Sequence, residues 1–305
     1  MPVKTPLLVT IVGPTAIGKT ALSIRMAKEF STEIISADSR QFFKEMRIGT
    51  AVPSAEELAA APHHFIQNLS IHDTYSVGDF EKDAIQLLDE LFQRHNILVM
   101  VGGSGLYVDA VVKGLDTFPE VSPKIRETLN KEFQTHGIEL LQKELKEVDP
   151  KYYHKVDLHN HHRLIRALEI YRETGKAFSS FLNRPSKKRN FNTLYIGLTA
   201  DRKIVYDRIN QRVDLMMEEG LLEEARALFE NKDLNALQTV GYRELFQYFE
   251  GTWDLEQAVS EIKKNTRRFA KRQGTWFKKN QAIHWFDYLE EPERIIEFVK
   301  TKSAP

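Results

Sequence analysis

Residues 7–20 have the sequence LLVTIVGPTAIGKT, a short apolar run followed at once by a glycine-rich stretch. The first six residues are apolar and partly β-branched, which predicts a buried strand. Residues 13–20 match the pattern G-x-x-x-x-G-K-[ST], and a helix is predicted to begin at Lys19. A strand, this loop and a helix in that order predict the phosphate-binding loop of an α/β domain.

The predicted phosphate-binding loop offers an anion three kinds of contact. Its glycines let consecutive backbone N–H groups face one anion, and the helix N-terminus adds partial positive charge. Lys19 adds a point charge, and the Thr20 hydroxyl suits Mg²⁺. Such loops are typical of ATP-binding proteins, although the pattern leaves open whether a nucleotide ever binds this one. The residues expected at the phosphate are Gly13, Pro14, Thr15, Ala16, Ile17, Gly18, Lys19 and Thr20.

Strands and helices are predicted to alternate through the first part of the chain. Further strands are expected at residues 33–37, 97–101 and 194–198, and Ser76 with Asp79 forms a capping box before a helix. This alternation predicts an α/β fold with a doubly wound parallel sheet, similar to P-loop NTPases. Ligands of such sheets bind at the carboxyl ends of the strands.

The region from residue 116 to residue 192 has a different character. Ser122-Pro123 is predicted to begin a helix, more helical segments follow, and no strand is predicted before residue 194. We therefore expect a catalytic core of residues 1–115 and 193–305 that carries an inserted all-helical subdomain, residues 116–192. The C-terminal part is predicted to be helical, with a long helix at about 255–277.

Composition excludes several classes of chemistry. The 305 residues include no cysteine, which rules out disulfides, thiolate zinc sites, iron–sulfur clusters and cysteine nucleophiles. The formal net charge is zero, so a polyanionic partner must be held by local basic patches. The sequence shows no signal peptide and no apolar run long enough for a membrane span, which predicts a cytoplasmic protein without a membrane partner.

The placement of acidic residues bears on the type of reaction. A GTPase or motor protein needs an acid after an apolar strand, but the run at 97–101 ends in Gly102-Gly103. Asp38 instead follows the second predicted strand, where small-molecule kinases keep an acid. The core by itself therefore suggests group transfer to an acceptor, with Asp38 as a base or a metal partner.

One segment near the C-terminus predicts contact with RNA. Residues 263–279 contain eight basic residues and no acidic ones, and helical spacing arranges them in the rows 263/267/271 and 264/268/272. Trp276 and Phe277 close the segment, either for base stacking or as core. The basic residues are Lys263, Lys264, Arg267, Arg268, Lys271, Arg272, Lys278 and Lys279.

Several segments, in order, resemble the tRNA dimethylallyltransferases, also called tRNA isopentenyltransferases. The resemblance spans about residues 7–286, and the absence of cysteine excludes the C-terminal zinc finger of eukaryotic relatives, so the bacterial type matches better. Besides the phosphate-binding loop, the matching segments are DSRQ (38–41), IGTA (48–51), GGSGLY (102–107), R-x-x-RALE (163–169), RVD (212–214), VGYR (240–243) and TRR-x-AKRQ-x-TW (266–276).

The resemblance implies a particular use of the phosphate-binding loop. In this family it holds the pyrophosphate of dimethylallyl diphosphate, with Mg²⁺, while N6 of the adenine on the 3′ side of the anticodon attacks the allylic carbon. By resemblance Asp38 is the catalytic base, and Lys19 and Arg212 hold the leaving pyrophosphate. The adenine is flipped out of the anticodon loop to reach this site.

The resemblance also implies a set of tRNA contacts. Asp38, Ser39, Arg40 and Gln41 are expected near the flipped base, and Ser104 and Arg126 along its channel. The anticodon stem-loop is expected to contact the remaining residues, which are His162, Arg163, Arg166, Val240, Gly241, Tyr242, Arg243, Lys271 and Arg272. Departures from the family pattern, such as His161-His162 before Arg163, affect these contacts and not the chemistry. We expect the enzyme to act as a monomer.

Two other enzymatic functions and one non-catalytic function compete with this prediction. Prenylation of a free adenine nucleotide needs neither the helical insertion nor the basic C-terminal helix. A small-molecule kinase needs adenine-binding and lid arginines, which the sequence does not place. A non-catalytic RNA-binding module does not need Lys19, Thr20 and Asp38 together.

Overall fold

The computed structural model describes residues 5–182 and 188–303. Within these ranges the strands form one parallel sheet of six strands in the order β3-β2-β4-β1-β5-β6. The predicted α/β class with a parallel sheet is therefore confirmed. The strands are β1 (Leu7–Val12), β2 (Ile34–Ser36), β3 (His63–His64), β4 (Ile97–Val101), β5 (Asn192–Thr199) and β6 (Ile283–Asp287).

Helices connect and follow these strands in the described ranges. None of them is long and apolar enough to cross a membrane. They are α1 (Lys19–Glu29), α2 (Ala55–Ala60), α3 (Val77–Leu91), α4 (Gly105–Lys113), α5 (Pro123–His136), α6 (Ile138–Val148), α7 (Pro150–Tyr153), α8 (His161–Thr174), α9 (Arg202–Glu218), α10 (Leu221–Ala227), α11 (Tyr242–Phe249), α12 (Leu255–Phe277) and α13 (Pro292–Ser303).

The sheet is buried on both faces. Alternate residues of its central strand, β1, point to opposite sides, and both sets contain buried apolar residues. Val9 and Ile11 of β1 pack in one apolar cluster with residues of α1, α9 and α13. Leu8 and Val12 pack in a second cluster with residues of α3 and α4. Every residue of β1 after Leu7 is buried, so this strand fixes the position of the loop that follows it.

A third apolar cluster lies among the helices of the C-terminal part. Leu221 of α10, Tyr242 of α11 and Ile262 of α12 are buried there together with Phe43 and Met46, which follow β2. This cluster joins the segment after β2 to the C-terminal helices. It therefore positions both the loop at 46–52 and the turn before α11.

The chain divides into two compact units, Met1–Lys113 with Arg189–Pro305, and Gly114–Lys188. The second unit contains α5–α8 and a 3₁₀ turn at Phe178–Phe181, and its described residues include no strand. Leu141, Leu145, Leu164 and Leu168 are fully buried in its own apolar core. The sequence predicted its boundaries at residues 116 and 192.

The C-terminal part differs from the sequence prediction at one element. It was predicted to be helical throughout, but residues 283–287 form β6, which pairs with β5 from Tyr195↔Ile283 to Thr199↔Asp287. The segment Ile283-His284-Trp285-Phe286-Asp287 is short and mixes polar with apolar residues. It is a strand because β5 offers it an unpaired edge.

Candidate active site

The phosphate-binding loop lies between β1 and α1 at the carboxyl edge of the sheet. Gly13 and Gly18 have positive φ values of 147° and 106°. A Cβ atom on Gly13 would lie 2.6 Å from the carbonyl oxygen of Leu198, so only glycine fits beside β5. Helix α1 begins after Gly18 without a side-chain cap, which leaves its first N–H groups for an anion.

Three basic side chains lie at this loop. Nζ of Lys19 donates to the carbonyl oxygen of Pro14 at 2.7 Å. From α9, Nε of Arg208 donates to the carbonyl oxygen of Ala16 at 2.7 Å, and Nη1 of Arg212 lies 3.4 Å from Oγ1 of Thr15. The predicted partners Lys19 and Arg212 are thus brought together, and α9 contributes a second arginine that sequence reasoning missed.

The charge state of Lys19 is perturbed by this environment. Burial lowers the pKa of Lys19 to about 8; the charge of Asp38 opposes this shift and that of Arg212 adds to it. Burial raises the pKa of Asp38 above its ordinary value, against the N–H of Arg40 and the charges of Lys19, Arg40 and Arg212. Asp38 and Lys19 are therefore electrostatically coupled, since the charge of each favours the charged form of the other.

Asp38 is held at the end of β2 by local contacts. Its Oδ1 accepts from the backbone N–H of Arg40 at 3.1 Å. Gly102, at the end of β4, has no room for a Cβ atom because the carbonyl oxygen of Ala37 would lie 2.4 Å away. The glycine lets the ends of β2 and β4 approach closely. Asp38 is the residue directly after Ala37, where this close contact occurs.

Two clefts meet at Asp38. The first has a volume of about 830 Å³ and contains the phosphate-binding loop from Thr15 to Thr20 together with Gln41. The second, of about 500 Å³, is lined by Ser39, Ser104 and residues of α12. Both clefts are lined by Thr15, Asp38, Thr50, Ala51, Gly103, Arg212 and Met216. A molecule in one cleft and a molecule in the other therefore meet beside the same carboxylate.

The DSRQ segment builds the wall between these clefts. The backbone N–H of Ser39 donates to Oγ of Ser104 at 3.2 Å, and the two hydroxyls are also 3.2 Å apart. Nη1 of Arg40 donates to the carbonyl oxygens of Asn235 and Ala236, both at 3.0 Å. Nε2 of Gln41 donates to the carbonyl oxygen of Ala51 at 2.9 Å. Arg40 lines the second cleft and Gln41 lines the first, and both side chains donate hydrogen bonds to backbone carbonyl oxygens.

The other predicted tRNA-binding residues of this unit fall into two groups. Val240, Gly241, Arg243 and Arg272 line the second cleft, and Lys271 is exposed on α12. Tyr242, by contrast, is fully buried, and its hydroxyl donates to Oε1 of Glu224 at 2.6 Å. Its side chain belongs to the core, so the ring of Tyr242, a residue that the resemblance places at the anticodon stem-loop, offers no surface to RNA.

The predicted basic rows of α12 are also only partly open. Lys263 forms an ion pair with Asp214 at 2.5 Å, and Nη1 of Arg267 donates to Oδ1 of Asn210 at 2.7 Å. The row 263/267 therefore faces α9, where both side chains are half-buried. Arg268, Lys271 and Arg272 remain exposed.

The remaining predicted residues lie in the helical unit. Glu169 is 2% exposed and pairs with Arg166 and with Arg126, whose Nε lies 2.6 Å from Oε2. His162 and Arg163 are exposed at the first turn of α8, where Oδ1 of Asn160 accepts from the Arg163 N–H. Arg126 and Arg166 thus hold a buried carboxylate, a structural contact that the sequence did not indicate.

Two residues at the site were given no role by the sequence. Gln273, 6% exposed, accepts from the Thr15 N–H at 2.9 Å and donates to the Gly103 carbonyl oxygen at 3.0 Å. Glu224 accepts from the backbone N–H groups of Arg47, Ile48 and Gly49 at 3.0, 2.8 and 2.9 Å. Gln273 is buried although the adjacent Lys271 and Arg272 are exposed, and its partners Thr15 and Gly103 lie too far along the chain to be predicted.

The metal prediction rests on oxygen chemistry at this loop. The described residues contain no cluster of three or more histidine or acidic side chains that could hold a metal ion. Thr20 and Asp38 both line the first cleft and offer oxygen atoms. Mg²⁺ is commonly held by one or two protein oxygens with phosphate oxygens and water, so these residues fit a metal that arrives with a pyrophosphate.

Comparisons with known proteins agree over nearly the whole chain. A family model described as IPP transferase matches residues 41–280. The chain is 63% identical to the tRNA dimethylallyltransferase of Christiangramia forsetii over 97% of this chain and 98% of that one. It is 60% identical to the tRNA dimethylallyltransferase of Flavobacterium psychrophilum, with the same coverage.

Solved structures give the same result. The tRNA isopentenylpyrophosphate transferase of Bacillus halodurans superposes with a TM-score of 0.73 at 38% identity, over 98% of this chain and 97% of that one. A eukaryotic dimethylallyltransferase described as acting on tRNA superposes with a TM-score of 0.82 at 26% identity, over 97% of this chain and 80% of that one.

Proposed function

This chain belongs to the IPP transferase family, and from that premise we infer that it transfers a dimethylallyl group to an adenine of tRNA. The donor is dimethylallyl diphosphate and the acceptor is N6 of the adenine on the 3′ side of the anticodon. The observation that carries this proposal is the position of Asp38 where the two clefts meet. One cleft suits a pyrophosphate, and the other is bordered by the predicted RNA-binding residues.

The first cleft would hold the donor by its pyrophosphate. The phosphate-binding loop with its backbone N–H groups, Lys19 and Arg212 all line this cleft. The leaving group gains negative charge as the allylic C–O bond breaks, so these donors stabilise the transition state more than the ground state. Thr20 would hold Mg²⁺, which neutralises part of this charge when bound.

The second cleft would admit the flipped adenine. The N6 amine attacks the allylic carbon, a C–N bond forms as the C–O bond breaks, and pyrophosphate leaves. The nitrogen must lose one proton, which Asp38 accepts. Burial raises the pKa of Asp38, which makes it a stronger base than an ordinary aspartate. Ser39 and Ser104, whose hydroxyls are 3.2 Å apart, would position the base beside it.

The test is transfer of label from labelled dimethylallyl diphosphate to unmodified tRNA in the presence of Mg²⁺. We expect label in tRNA, lost on omission of Mg²⁺, and a decrease of at least about a hundredfold in Asp38→Ala, the usual contribution of a general base. AMP and ATP serve as parallel acceptors. Label in AMP alone would indicate nucleotide prenylation, and phosphate transfer from ATP without prenyl transfer would indicate a kinase.

Retained binding of tRNA by Asp38→Ala, measured by filter binding, separates loss of chemistry from loss of the acceptor site. The proposal includes action in the cytoplasm, which is where we expect the tRNA substrate, and a monomeric state. Size-exclusion chromatography with light scattering tests the second point, and a stable dimer would contradict it.

A further inference from the structure

Two large aromatic side chains of α12 are exposed at the mouth of the second cleft. Phe269 is 38% exposed and Trp276 is 42% exposed. Leu106, at the start of α4, is 46% exposed and lines the same cleft. Phe277, the neighbour of Trp276, is 3% exposed and belongs to the core beneath the sheet. The two aromatic residues that close the basic segment therefore differ: Phe277 packs in the core, and Trp276 is exposed at the surface.

Trp276 is held in a fixed orientation although it is exposed. Its Nε1 donates to Oδ2 of Asp109 at 3.0 Å, and Asp109 also forms an ion pair with Lys113 at 2.7 Å. A Cβ atom on Gly105 would lie 2.4 Å from Cδ1 of Trp276, so the five-membered ring rests directly on the glycine backbone. An indole fixed on one side and open on the other is preorganised to receive a flat ligand.

Positive charge lies beside this ring. Arg272 stands between Phe269 and Trp276 at helical spacing, and its guanidinium lies 5.7 Å from the centroid of the Phe269 ring. Arg272 is exposed and lines the cleft, and Lys271 is exposed beside it. An exposed aromatic pair with cations along its edge is the arrangement by which proteins bind single-stranded nucleic acid.

We propose that Trp276 is a stacking platform for the unpaired base next to the target adenine. The proposal rests on the proposed function, because it takes the flipped adenine to occupy the second cleft. When that adenine leaves the anticodon-loop stack, its neighbour loses a stacking partner. The open face of Trp276 at the mouth of the cleft replaces the lost partner, and Arg272 contacts the phosphate between the two nucleotides.

The charges of the surroundings favour RNA over a protein partner. Arg243 and Arg272, both exposed, line the cleft, and Arg268 is exposed on the same helix. A protein surface would have to supply acidic groups at each of them, whereas one strand of RNA does so with consecutive phosphates. Trp276 and Phe269 have flat faces that any base can cover.

The test pairs a protein change with an RNA change. Stem-loop RNAs carry an abasic site directly 5′ or directly 3′ of the target adenine. We expect Trp276→Leu to weaken binding of the intact stem-loop by about tenfold, as loss of one base–aromatic stack does. It should have no further effect on the abasic RNA whose missing base normally stacks there. Trp276→Phe keeps an aromatic face and should therefore retain most of the wild-type affinity for the intact stem-loop.

Each outcome of this cycle is informative. Full additivity of Trp276→Leu with both abasic sites would overturn the proposal, as would equal binding by the Leu and Phe variants. RNA binding should also quench the tryptophan fluorescence of the wild type but not that of Trp276→Phe. Prenyl transfer by the wild type is measured on the same intact stem-loop. If transfer is absent, the proposed function fails, whereas additivity with normal transfer removes only the stacking platform.

Discussion

Lys19 and Asp38 are linked by charge across the first cleft, and their pKa values are moved towards each other. Lys19 has its pKa lowered to about 8, and the pKa of Asp38 is raised, both mainly by burial. A lysine with this pKa is charged below pH 8 and loses its proton above it. A base with a raised pKa is ionised above that pKa and loses function as pH falls through it.

The pH dependence of capture of the donor should follow from these shifts. We expect kcat/KM for dimethylallyl diphosphate to fall as pH rises through about 8, because free Lys19 becomes neutral. Bound pyrophosphate favours the charged lysine, so the corresponding limb of kcat should lie at higher pH. The measurement is the two profiles from pH 5 to 10 in the wild type and in Lys19→Arg, with a donor concentration series at each pH. A kcat/KM that stays level between about pH 7.5 and 9 would contradict the assignment.

Gln273 should affect the donor more than the acceptor. Gln273→Leu removes the acceptor of the Thr15 N–H and the donor to the Gly103 carbonyl oxygen. We expect the KM of the donor to rise by about tenfold, the order of one buried hydrogen bond at Thr15, and the Kd of tRNA to rise less, although Gln273 itself lines the second cleft. Gln257→Leu, an exposed change on the same helix, is the matched control. An unchanged donor KM in Gln273→Leu would show that the loop holds its shape without this contact.

At the residue scale the sequence predicted what local patterns determine. Lys19 and Thr20 follow from the loop pattern, and Asp38 from its place after a strand. Gln273 could not be predicted, because its partner Thr15 lies 258 positions away along the chain. Tyr242 was assigned to the RNA surface by resemblance, and only the packing of α11 shows that its ring is buried.

The loop at 47–51 depends on an element far from it in sequence. Glu224 of α10 accepts from three consecutive N–H groups of this loop, and its Oε1 also accepts from the Tyr242 hydroxyl at 2.6 Å. Gly49 lies so close to Tyr242 that a Cβ atom would be 2.6 Å from its ring. The loop carries Thr50 and Ala51, which line both clefts. Its shape therefore affects both substrates.

Replacing Glu224 should loosen this loop. We expect Glu224→Ala to lower the free energy of unfolding by about 2 kcal/mol, since bonds to a charged acceptor are lost, and to raise the KM values of donor and tRNA together. Glu223→Ala, an exposed neighbour on the same helix, should change neither. Chemical denaturation and steady-state kinetics measure the two effects. A change in only one KM would assign the loop to one cleft.

At the element scale, periodicity predicted the bounds of the helices better than it predicted which of their faces are exposed. The helix at 255–277 was predicted within its observed bounds. Its row 263/267/271 was predicted to attract an RNA backbone. In the structure Lys263 forms an ion pair with Asp214 of α9, and Arg267 donates a hydrogen bond to Asn210 of α9. The strand β6 was missed because five mixed residues give no clear period. Its formation depends on the free edge of β5.

At the scale of the whole molecule, a formal net charge of zero places the attraction for tRNA in local patches. Lys271 is exposed on α12, beside the second cleft. We expect Lys271→Ala to reduce the slope of log Kd against log salt by about 0.7–0.9, the value for one phosphate contact. Lys28→Ala, an exposed lysine on α1, is the control and should leave the slope unchanged. An equal effect of both changes would show a diffuse field and not a patch.

The general architecture was the most predictable level. Alternation of strands and helices predicted the parallel sheet, because a crossover between parallel strands needs a connection as long as a helix. The strand order β3-β2-β4-β1-β5-β6 was not predicted, since which strands become neighbours is decided by packing on both faces. The two-residue strand β3 is too short to leave any periodic signal.

The bond between Thr15 and Gln273 has a consequence for the order in which the ribosome makes this protein. The anion-binding loop emerges among the first residues, but its contact on α12 comes 258 positions later. The central strand β1 likewise waits for β5, which begins at Asn192. A nascent or prematurely terminated chain therefore carries the loop sequence without its finished shape. The contact that Gln273 makes with the anion-binding loop is therefore added only when α12 has been translated and has packed against the sheet.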